Sequence, residues 1–342
     1  MKKILVTGGT GYLGSHTTID LINNGFEVIV LDNLSRSSIK SIDQIEKITS
    51  VRPKFYQIDL TDATALASFF EKEQNIDGII HFAAYKYVDE SVQKPILYFK
   101  NNIQGLLNLM EEVEKHEIKY FVFSSSCSVY GNIDHLPVTE STPLNKTQSP
   151  YAKTKVLGEL ILEDIAQFQN KHIISLRYFN PVGAHESGEI GESPAIIPNN
   201  LVPRITGTAI GKFPMFKVYG HDLNTRDGSC IRDYIHVMDI ASAHTKALQY
   251  LSENYTPSTH EIINLGSGKG VTVLEAIQSF EKISGLKLNY ELDAPRDGDV
   301  VAIYSDSSHA KETLGWTALR TIDDMMRTAW EWEKKNNSNT SI

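Results

Sequence analysis

The chain opens with Ile4-Leu5-Val6-Thr7-Gly8-Gly9-Thr10-Gly11-Tyr12-Leu13-Gly14, an apolar run that passes directly into a glycine-rich turn. Gly9, Gly11 and Gly14 have the spacing G-x-G-x-x-G, and starting from Gly8 the spacing is G-x-x-G-x-x-G. Glycines let the backbone turn tightly and approach a pyrophosphate, and the amides at the start of the next helix face the anion. The segment therefore predicts the strand, turn and helix of a dinucleotide-binding domain.

An acidic residue ends the next strand-like run, Glu27–Asp32. Asp32 lies eighteen residues after Gly14, where a carboxylate can accept hydrogen bonds from both adenosine ribose hydroxyls and repels the extra phosphate of NADP. This position predicts NAD as the cofactor. Asp59 ends the third strand-like run and can either meet the adenine or cap the next helix, because Thr61-Asp62 follows it.

The first half of the chain alternates short apolar runs with longer helical patterns. Most of the runs are β-branched or aromatic, as in strands that are buried on both faces. The runs are Ile4–Thr7, Glu27–Asp32, Lys54–Asp59, Gly78–Ala83, Tyr120–Ser125 and Ile173–Phe179. This alternation predicts an α/β fold with a Rossmann-type doubly wound parallel sheet.

Prolines and glycines interrupt the alternation in the second half. We therefore expect a Rossmann domain that binds NAD over residues 1–180 and a smaller α/β domain that binds the substrate over residues 181–335. Parts of the second domain, around residues 232–265, are expected to pack back on the first. Residues 336–342 lack apolar periodicity and are predicted to form a flexible tail.

Composition excludes several classes of protein. The 342 residues carry a formal net charge of −9 without a long basic block, which argues against nucleic acid as a partner. No apolar run has the length of a membrane span, and the first residues reach the glycines too early for a signal peptide. The two cysteines, Cys127 and Cys230, cannot form a disulfide framework, and no His/Cys cluster has metal-ligand spacing. We expect a soluble cytoplasmic protein without a metal.

A tyrosine and a lysine stand four residues apart after Ser149-Pro150, a pair that favours a helix start. Tyr151 and Lys155 would then share one helix face. An ammonium and the positive nicotinamide ring lower the pKa of a tyrosine from about 10, which makes a phenolate available as a base. Residues 124–126, all serines, end the fifth strand at the ligand-binding edge of such a sheet. One hydroxyl could relay a proton to Tyr151, although the pattern alone does not select Ser126.

Seven segments resemble those of the extended short-chain dehydrogenases/reductases and, among them, the UDP-glucose 4-epimerases. They are Gly8–Ser15, His81–Ala84, Glu90–Pro95, Ser124–Gly131, Gln148–Tyr151, Arg177–His185 and Arg232–Asp239. The resemblance covers nearly the whole chain and stops only at the tail. It implies a Rossmann fold, NAD as the cofactor, a UDP-hexose as the substrate and a homodimer formed through helices of the NAD domain.

The resemblance also assigns roles to residues. Ser126 and Tyr151 would handle the proton of the sugar 4-hydroxyl, and Lys155 would activate Tyr151. The residues that would line the NAD are Gly8, Gly11, Tyr12, Leu13, Gly14, Asp32, Asn33, Asp59, Leu60, Phe82, Ala83, Ala84, Lys86, Asn101, Ser124, Tyr151, Lys155 and Phe179. The residues that would hold the UDP-sugar are Lys86, Ser126, Tyr151, Asn180, Asn200, Leu201, Tyr219, Arg232, Arg296, Asp299 and Ile303.

The implied reaction interconverts UDP-glucose and UDP-galactose, a step of galactose metabolism. C4 of the sugar passes a hydride to tightly bound NAD, the 4-keto sugar turns its other face, and the hydride returns with inversion. Two positions depart from the family pattern: Ala84 replaces a common glycine, and Ile303 is intermediate between the tyrosine and the small residues that relatives carry. Whether N-acetylated UDP-hexoses also fit is therefore open.

Three other functions compete with this interpretation. A nucleotide-sugar 4,6-dehydratase would need an Asp–Glu pair where this chain has Cys127 and Ser128. A nucleotide-sugar decarboxylase fits the segments of the second domain less well. A catalytically silent NAD-binding regulator could lose Tyr151 or Lys155, and both are present.

Overall fold

The computed structural model describes residues 2–133, 135–193, 200–295 and 300–338. The strands are β1 Lys3–Thr7, β2 Glu27–Asp32, β3 Lys54–Gln57, β4 Gly78–His81, β5 Tyr120–Ser126, β6 His172–Tyr178, β7 Asn180–Val182, β8 Phe216–Tyr219, β9 Ile231–His236, β10 Thr259–Leu265, β11 Gly270–Thr272, β12 Tyr290–Asp293 and β13 Ala302–Ile303. The α-helices are α1 Tyr12–Asn23, α2 Lys40–Thr49, α3 Ala63–Lys72, α4 Val88–Gln93, α5 Pro95–Phe99, α6 Gly105–Lys115, α7 Pro150–Phe168, α8 Leu201–Ala209, α9 Val237–Glu253, α10 Val273–Ser284, α11 Ser308–Leu314 and α12 Ile322–Ser338. A π-helical turn, Lys100–Gln104, joins α5 to α6, and a 3-10 turn, Cys127–Tyr130, follows β5.

The predicted doubly wound sheet is confirmed. Seven parallel strands lie in the order β10-β6-β5-β4-β1-β2-β3. The residues of β1 and β4 are buried on both faces, because helices cover both sides of the sheet. The chain order reverses between β1 and β4, so a crevice opens at their carboxyl ends, where such sheets bind ligands.

A smaller α/β region carries its own core. In it β9 pairs with β11, β13 and β7, and β12 pairs with β8. Side chains from α8, α10 and α12 pack together there, among them Ile205, Phe280 and Trp330. Met325 and Met326 of α12 lie in the same buried cluster as Trp330.

The chain returns to the large sheet after β9. Strand β10 is its edge strand beside β6, and α9 packs against α1. Ile240 and Leu248 of α9 share one buried cluster with Ile19 of α1. The expected domain boundary at residue 180 stays a prediction. Strand β10 and helix α9 follow it in the chain and pack into the core of the large sheet.

Several boundaries differ from the sequence-based expectations; strand β4, for example, ends at His81 and not at Ala83. Helix α12 continues through Ser338, so the first residues of the expected tail, 336–338, are helical, and residues 339–342 lie outside the described part of the chain. Strand β3 ends at Gln57, two residues earlier than the apolar run suggested. Within the described ranges, no helix combines the length and apolarity that crossing a membrane requires.

One buried carboxylate joins three segments of the smaller region. Asp233 of β9 is fully buried, and its Oδ1 accepts hydrogen bonds from the amide (2.8 Å) and hydroxyl (2.5 Å) of Ser267. Its Oδ2 accepts from the amide of Gly268 (3.2 Å) and from the amide (3.0 Å) and hydroxyl (2.7 Å) of Ser305. These five donors lie just after β10 and just after β13, so Asp233 fixes both loops beside β9.

Asp233→Ala should therefore be strongly destabilising, because it leaves these donors buried without an acceptor. We expect the free energy of unfolding to fall by at least about 3 kcal/mol, measured by urea denaturation. Asp164→Ala on the exposed face of α7 is the control, with an expected change within about 0.5 kcal/mol. Equal effects of the two substitutions would contradict the role given to Asp233.

Candidate active site

The glycine turn brings backbone directly against backbone. Gly8 has a positive φ of 68°, and a Cβ on it would lie 2.7 Å from the Ala83 amide nitrogen. A Cβ on Gly14 would lie 2.7 Å from Cα of Gly9. Helix α1 begins at Tyr12, and its N-cap Gly11 supplies no side-chain capping bond. The first amides of α1 are thus directed at the crevice, where a phosphate can accept from them.

Asp32 is held at the end of β2 with a fixed orientation. Its Oδ1 accepts hydrogen bonds from the amide of Leu34 and the hydroxyl of Ser37, both at 2.9 Å. Its Oδ2 accepts from the amide of Thr10 at 3.2 Å. An ionised carboxylate has about four acceptor sites, so Asp32 keeps capacity for a ribose hydroxyl.

The two possibilities left open for Asp59 are now separated. Asp62, not Asp59, caps α3 by accepting from the amide of Ala65 at 3.0 Å. Asp59 accepts instead from the amide (2.8 Å) and hydroxyl (2.7 Å) of Thr61 and from Nδ2 of Asn33 (2.9 Å). Partial burial opposes ionisation, but the bonds from Thr61 and Asn33 hold the pKa of Asp59 below its ordinary value. Asp59 therefore faces the crevice beside Asn33 as a carboxylate.

Tyr151 and Lys155 lie on one face of the first turns of α7, as their spacing predicts. Ser149 is the N-cap and accepts from the amide of Ala152 at 3.2 Å, and Pro150 occupies the first helical position. Burial raises the pKa of the Tyr151 phenol, and a hydrogen bond from Ser126 together with the charge of Lys86 partly offsets that rise. Of the three serines at the end of the fifth strand, Ser126 is thus the one that acts on the pKa of Tyr151.

Lys155 has a different set of partners from the one expected. Its Nζ donates to the carbonyl oxygen of Ser124 and lies 4.9 Å from the centre of the Phe123 ring. Burial lowers the pKa of Lys155 to about 7, although the nearby Glu159 carboxylate favours its charged form. The ammonium that acts on Tyr151 in this structure belongs to Lys86, and the activating role of Lys155 stays a prediction.

One cleft at the carboxyl edge of the large sheet contains all eighteen residues that were predicted to line NAD. Its walls combine the glycine turn, Asp32, the ends of β4 and β5, and Tyr151 with Lys155. This donor set fits a dinucleotide: uncapped helix amides suit the pyrophosphate, a carboxylate suits the adenosine ribose, and a lysine suits the nicotinamide ribose. A Cβ atom added at Gly8 or Gly14 would clash with neighbouring backbone, so the turn that lines this cleft requires glycine at both positions.

The predicted substrate residues divide into two groups. Lys86, Ser126, Tyr151 and Asn200 line the same cleft. Five others do not line it: Asn180, Leu201, Tyr219, Arg232 and Ile303. The remaining two, Arg296 and Asp299, lie outside the described residues.

Ile303 and Arg232 of the second group contact or act on Cys127, which follows Ser126 in the chain. Ile303 is 6% exposed and shares an apolar cluster with Phe179 and Cys127. Strand register sets Ile303 beside Arg232, whose charge reaches the Cys127 thiol and acts to lower the pKa that burial raises. Asn180 has a buried Oδ1 without a hydrogen-bond partner among the described residues, an acceptor that a ligand could use.

The sequence-based reasoning missed several residues of the cleft, above all Glu192. Its Oε1 accepts from Nζ of Lys86 and from Nδ2 of Asn200, each at 3.0 Å. The indole of Trp332 donates to the Glu192 carbonyl at 3.0 Å. No motif marks this carboxylate, and its partner Lys86 stands 106 residues away in the chain. Tyr85, Tyr87 and Arg36, which also line the cleft, were likewise not predicted.

Comparison with known proteins identifies the family. A family model described as GDP-mannose 4,6 dehydratase matches residues 5–329. The UDP-glucose 4-epimerase of Pasteurella multocida is 48% identical over 97% of this chain and 98% of its own length. The crystal structure of UDP-glucose 4-epimerase from Stenotrophomonas maltophila, with bound NAD and formylated UDP-arabinopyranose, is 41% identical, covers 99% of this chain and 100% of that one, and has a TM-score of 0.95. The corresponding enzyme of Bifidobacterium longum, in complex with NAD+ and UDP, is 42% identical, covers 98% of this chain and 99% of that one, and has a TM-score of 0.92. The chain therefore belongs to the UDP-glucose 4-epimerases, NAD-dependent isomerases within the extended short-chain dehydrogenase/reductase family.

Proposed function

We propose that this chain interconverts UDP-glucose and UDP-galactose by inverting C4 of the hexose. The observation that carries the proposal is that Ser126 and Tyr151 line the same cleft as the glycine turn and Asp32. A proton-transfer pair beside a dinucleotide site suits the reversible oxidation of a secondary alcohol. When bound, NAD would serve as the oxidant of C4 and as the source of the hydride that returns to the opposite face of the sugar.

The residues of the chain manage the proton and the position of the sugar. We infer that the Tyr151 phenolate accepts the 4-hydroxyl proton while Ser126 donates a hydrogen bond to it, and that Tyr151 returns the proton after the sugar has turned. Lys86 and Lys155 both line the cleft, and the charge of Lys86 lowers the pKa of Tyr151. Arg232 and Asn180 are proposed to hold the diphosphate and the neighbouring part of the nucleotide. A firm hold on UDP with few contacts to the hexose would let the 4-keto sugar rotate.

The two positions at which a dehydratase would carry its Asp–Glu pair hold other residues in this chain. Such an enzyme needs a carboxylate beside C5 to accept the C5 proton and a carboxylic acid to protonate the leaving 6-hydroxyl. The two residues that follow Ser126 are Cys127 and Ser128. Burial raises the pKa of the Cys127 thiol to about 12, so it is a poor acid or base near neutral pH. The 4-epimerase function is therefore the better fit.

The first test is proton NMR of the purified protein with UDP-galactose and no added NAD. We expect UDP-glucose to form without an accumulating keto product, because the cofactor is regenerated in each turnover and stays bound. Absence of turnover, also after NAD is supplied, would contradict the proposal. A parallel sample with UDP-N-acetylgalactosamine tests whether the space beside Ile303 admits an N-acetyl group.

Tyr151→Phe should abolish turnover and leave NAD content unchanged, because it removes the ionisable oxygen and keeps the ring. We expect the rate of UDP-galactose conversion to fall by at least about 10²-fold, the lower range for general acid–base groups. Tyr85→Phe, a phenol in the same cleft without an assigned role in proton transfer, serves as the control. Activity of Tyr151→Phe near that of the parent would remove Tyr151 from the mechanism.

The charge of Lys86 should affect the pH dependence of kcat. A positive charge lowers the pKa of Tyr151 and so favours the phenolate; Lys86→Met removes that charge, and the pKa of Tyr151 rises further. Because the phenolate is the active form, the rise of kcat with pH should move to higher pH by about one unit. Lys153→Met, on the exposed face of α7, should leave the profile in place. An unshifted profile for Lys86→Met would mean that Lys86 does not tune Tyr151.

We further propose that two copies of the chain associate through an apolar face that α4, α5 and α7 form together. Val92, Ile96 and Leu160 are 59%, 70% and 50% exposed, and the helices that carry them contact one another. Large apolar side chains grouped in this way favour burial against a partner, here a second copy of the chain.

The free thiols of Cys127 and Cys230 support a reducing, cytoplasmic location.

Ile96→Asp should convert the homodimer into a monomer, because it would bury a carboxylate in an apolar interface. Size-exclusion chromatography with light scattering measures the mass directly. Leu319→Asp, at a side chain that is 78% exposed elsewhere on the surface, is the matched control. A parent protein that is already monomeric, or a dimer that survives Ile96→Asp, would refute this interface.

A further inference from the structure

An arginine crosses the cleft beside Asp32. Arg36 belongs to the loop after β2, and its NH2 donates to Oε1 and Oε2 of Glu90 at 2.7 and 2.8 Å. Glu90 lies in the first turn of α4, after β4. Strands β2 and β4 are not neighbours, because β1 lies between them, and two strand spacings amount to about 10 Å. The ion pair therefore spans the carboxyl end of β1, where the glycine turn begins.

Both partners are held firmly, so the contact is not a loose surface pair. The guanidinium of Arg36 lies 5.0 Å from the ring centre of Tyr85 and 6.0 Å from that of Tyr87. The hydroxyl of Tyr98, a fully buried residue, donates to Oε2 of Glu90 at 3.1 Å and to the carbonyl of Tyr87 at 2.8 Å. Although burial opposes ionisation, the bonds from Arg36 and Tyr98 hold the pKa of Glu90 below its ordinary value. Glu90 is thus a carboxylate at neutral pH.

The segment around Tyr85, which Arg36 contacts, is also hydrogen-bonded to helix α7 through Asn102. The side-chain oxygen of Asn102 accepts from the amide of Tyr85 at 2.8 Å, and its nitrogen donates to the carbonyl of Tyr85 at 3.1 Å. The same nitrogen donates to the hydroxyl of Thr154 on α7 at 3.0 Å. Through its ion pair with Glu90, Arg36 therefore connects the surface loop after β2 to the chain segment that follows β4. That segment is bonded to α7 through Asn102.

The residues on both sides of the pair line the cofactor cleft. Residues 35–37 form one wall and residues 85–87 form the other. The hydroxyl of Ser37 also bonds Asp32, so the position of the loop and the orientation of the ribose-binding carboxylate are linked. A dinucleotide that occupies the cleft with its adenosine at Asp32 would lie beneath the Arg36–Glu90 pair.

We propose that Arg36 and Glu90 form a clasp over the adenosine half of the cleft, and that opening of this clasp sets the rate at which NAD leaves the protein. The clasp acts on retention of the cofactor and takes no part in proton transfer. It rests on the proposed function only in requiring that the cleft holds NAD. Because Glu90 engages the guanidinium, Arg36 is also unavailable to the 2′-phosphate of NADP, which reinforces the selection that Asp32 exerts.

The experiment measures release of NAD without any sugar substrate. Holoenzyme is loaded with radiolabelled NAD, an excess of unlabelled NAD is added, and the protein-bound label is followed in time. We expect Arg36→Met and Glu90→Gln each to speed release by about fivefold, the equivalent of a partly exposed ion pair. The double variant should be no faster than either single variant, because both break the same contact. Arg52→Met, which removes an exposed pair with Asp43 and Glu46 outside the cleft, should change release by less than about twofold.

Salt dependence supplies a second measurement. Screening weakens a partly exposed ion pair, so release from the parent should accelerate with ionic strength, while release from Arg36→Met should not. Unchanged release in either single variant, or independent effects that multiply in the double variant, would overturn the clasp. Epimerisation by the parent protein with saturating NAD is recorded separately: its absence would refute the proposed function, whereas the release measurements alone decide for or against the clasp.

Discussion

Direct packing of backbone on backbone at the Gly8–Gly14 turn is the constraint on which the site depends. Only residues without a Cβ allow the turn to lie against Ala83 and let α1 start immediately after β1. The turn fills the point where the strand order reverses, so loops from β2, β4 and β5 converge on it. Asp32, the Tyr85–Tyr87 wall and Ser126 therefore reach one cleft, although they are distant in the chain.

Electrostatics at the catalytic end follows from burial. A phenol and an ammonium both lose hydration in the cleft, so the pKa of Tyr151 rises while that of Lys155 falls to about 7. Neither shift favours the charged pair that proton abstraction requires. Lys86 acts in the opposite direction because Glu192 keeps its ammonium charged, and this charge lowers the pKa of Tyr151. Lys86 thus provides the positive charge that lowers the pKa of Tyr151, and Lys155 is left with a pKa of about 7.

The sequence predicted those features that local patterns encode. Apolar runs specified six strands of the large sheet, the Ser149-Pro150 pair marked the start of α7, and the glycine spacing located the turn. Contacts between distant segments were not predictable in this way. Glu192 meets Lys86 across 106 residues, and Arg36 meets Glu90 across 54, with nothing in either local segment that announces the partner. Likewise the sequence left open whether Asp59 caps the next helix, and only the backbone geometry at α3 shows that Asp62 is the cap.

Retention of the cofactor follows from the same chemistry that defines the family. A dehydrogenase must exchange its nicotinamide cofactor in every turnover, so a tight clasp would limit its rate. An epimerase regenerates its cofactor within the cycle, so slow release has no effect on kcat and prevents loss of the oxidant between turnovers. An ion pair across the adenosine half is compatible with this requirement, because it lies away from Ser126 and Tyr151, where the sugar must move. The proposed clasp therefore acts at the Asp32 part of the cleft, and proton transfer is assigned to the part that Tyr151 and Ser126 line.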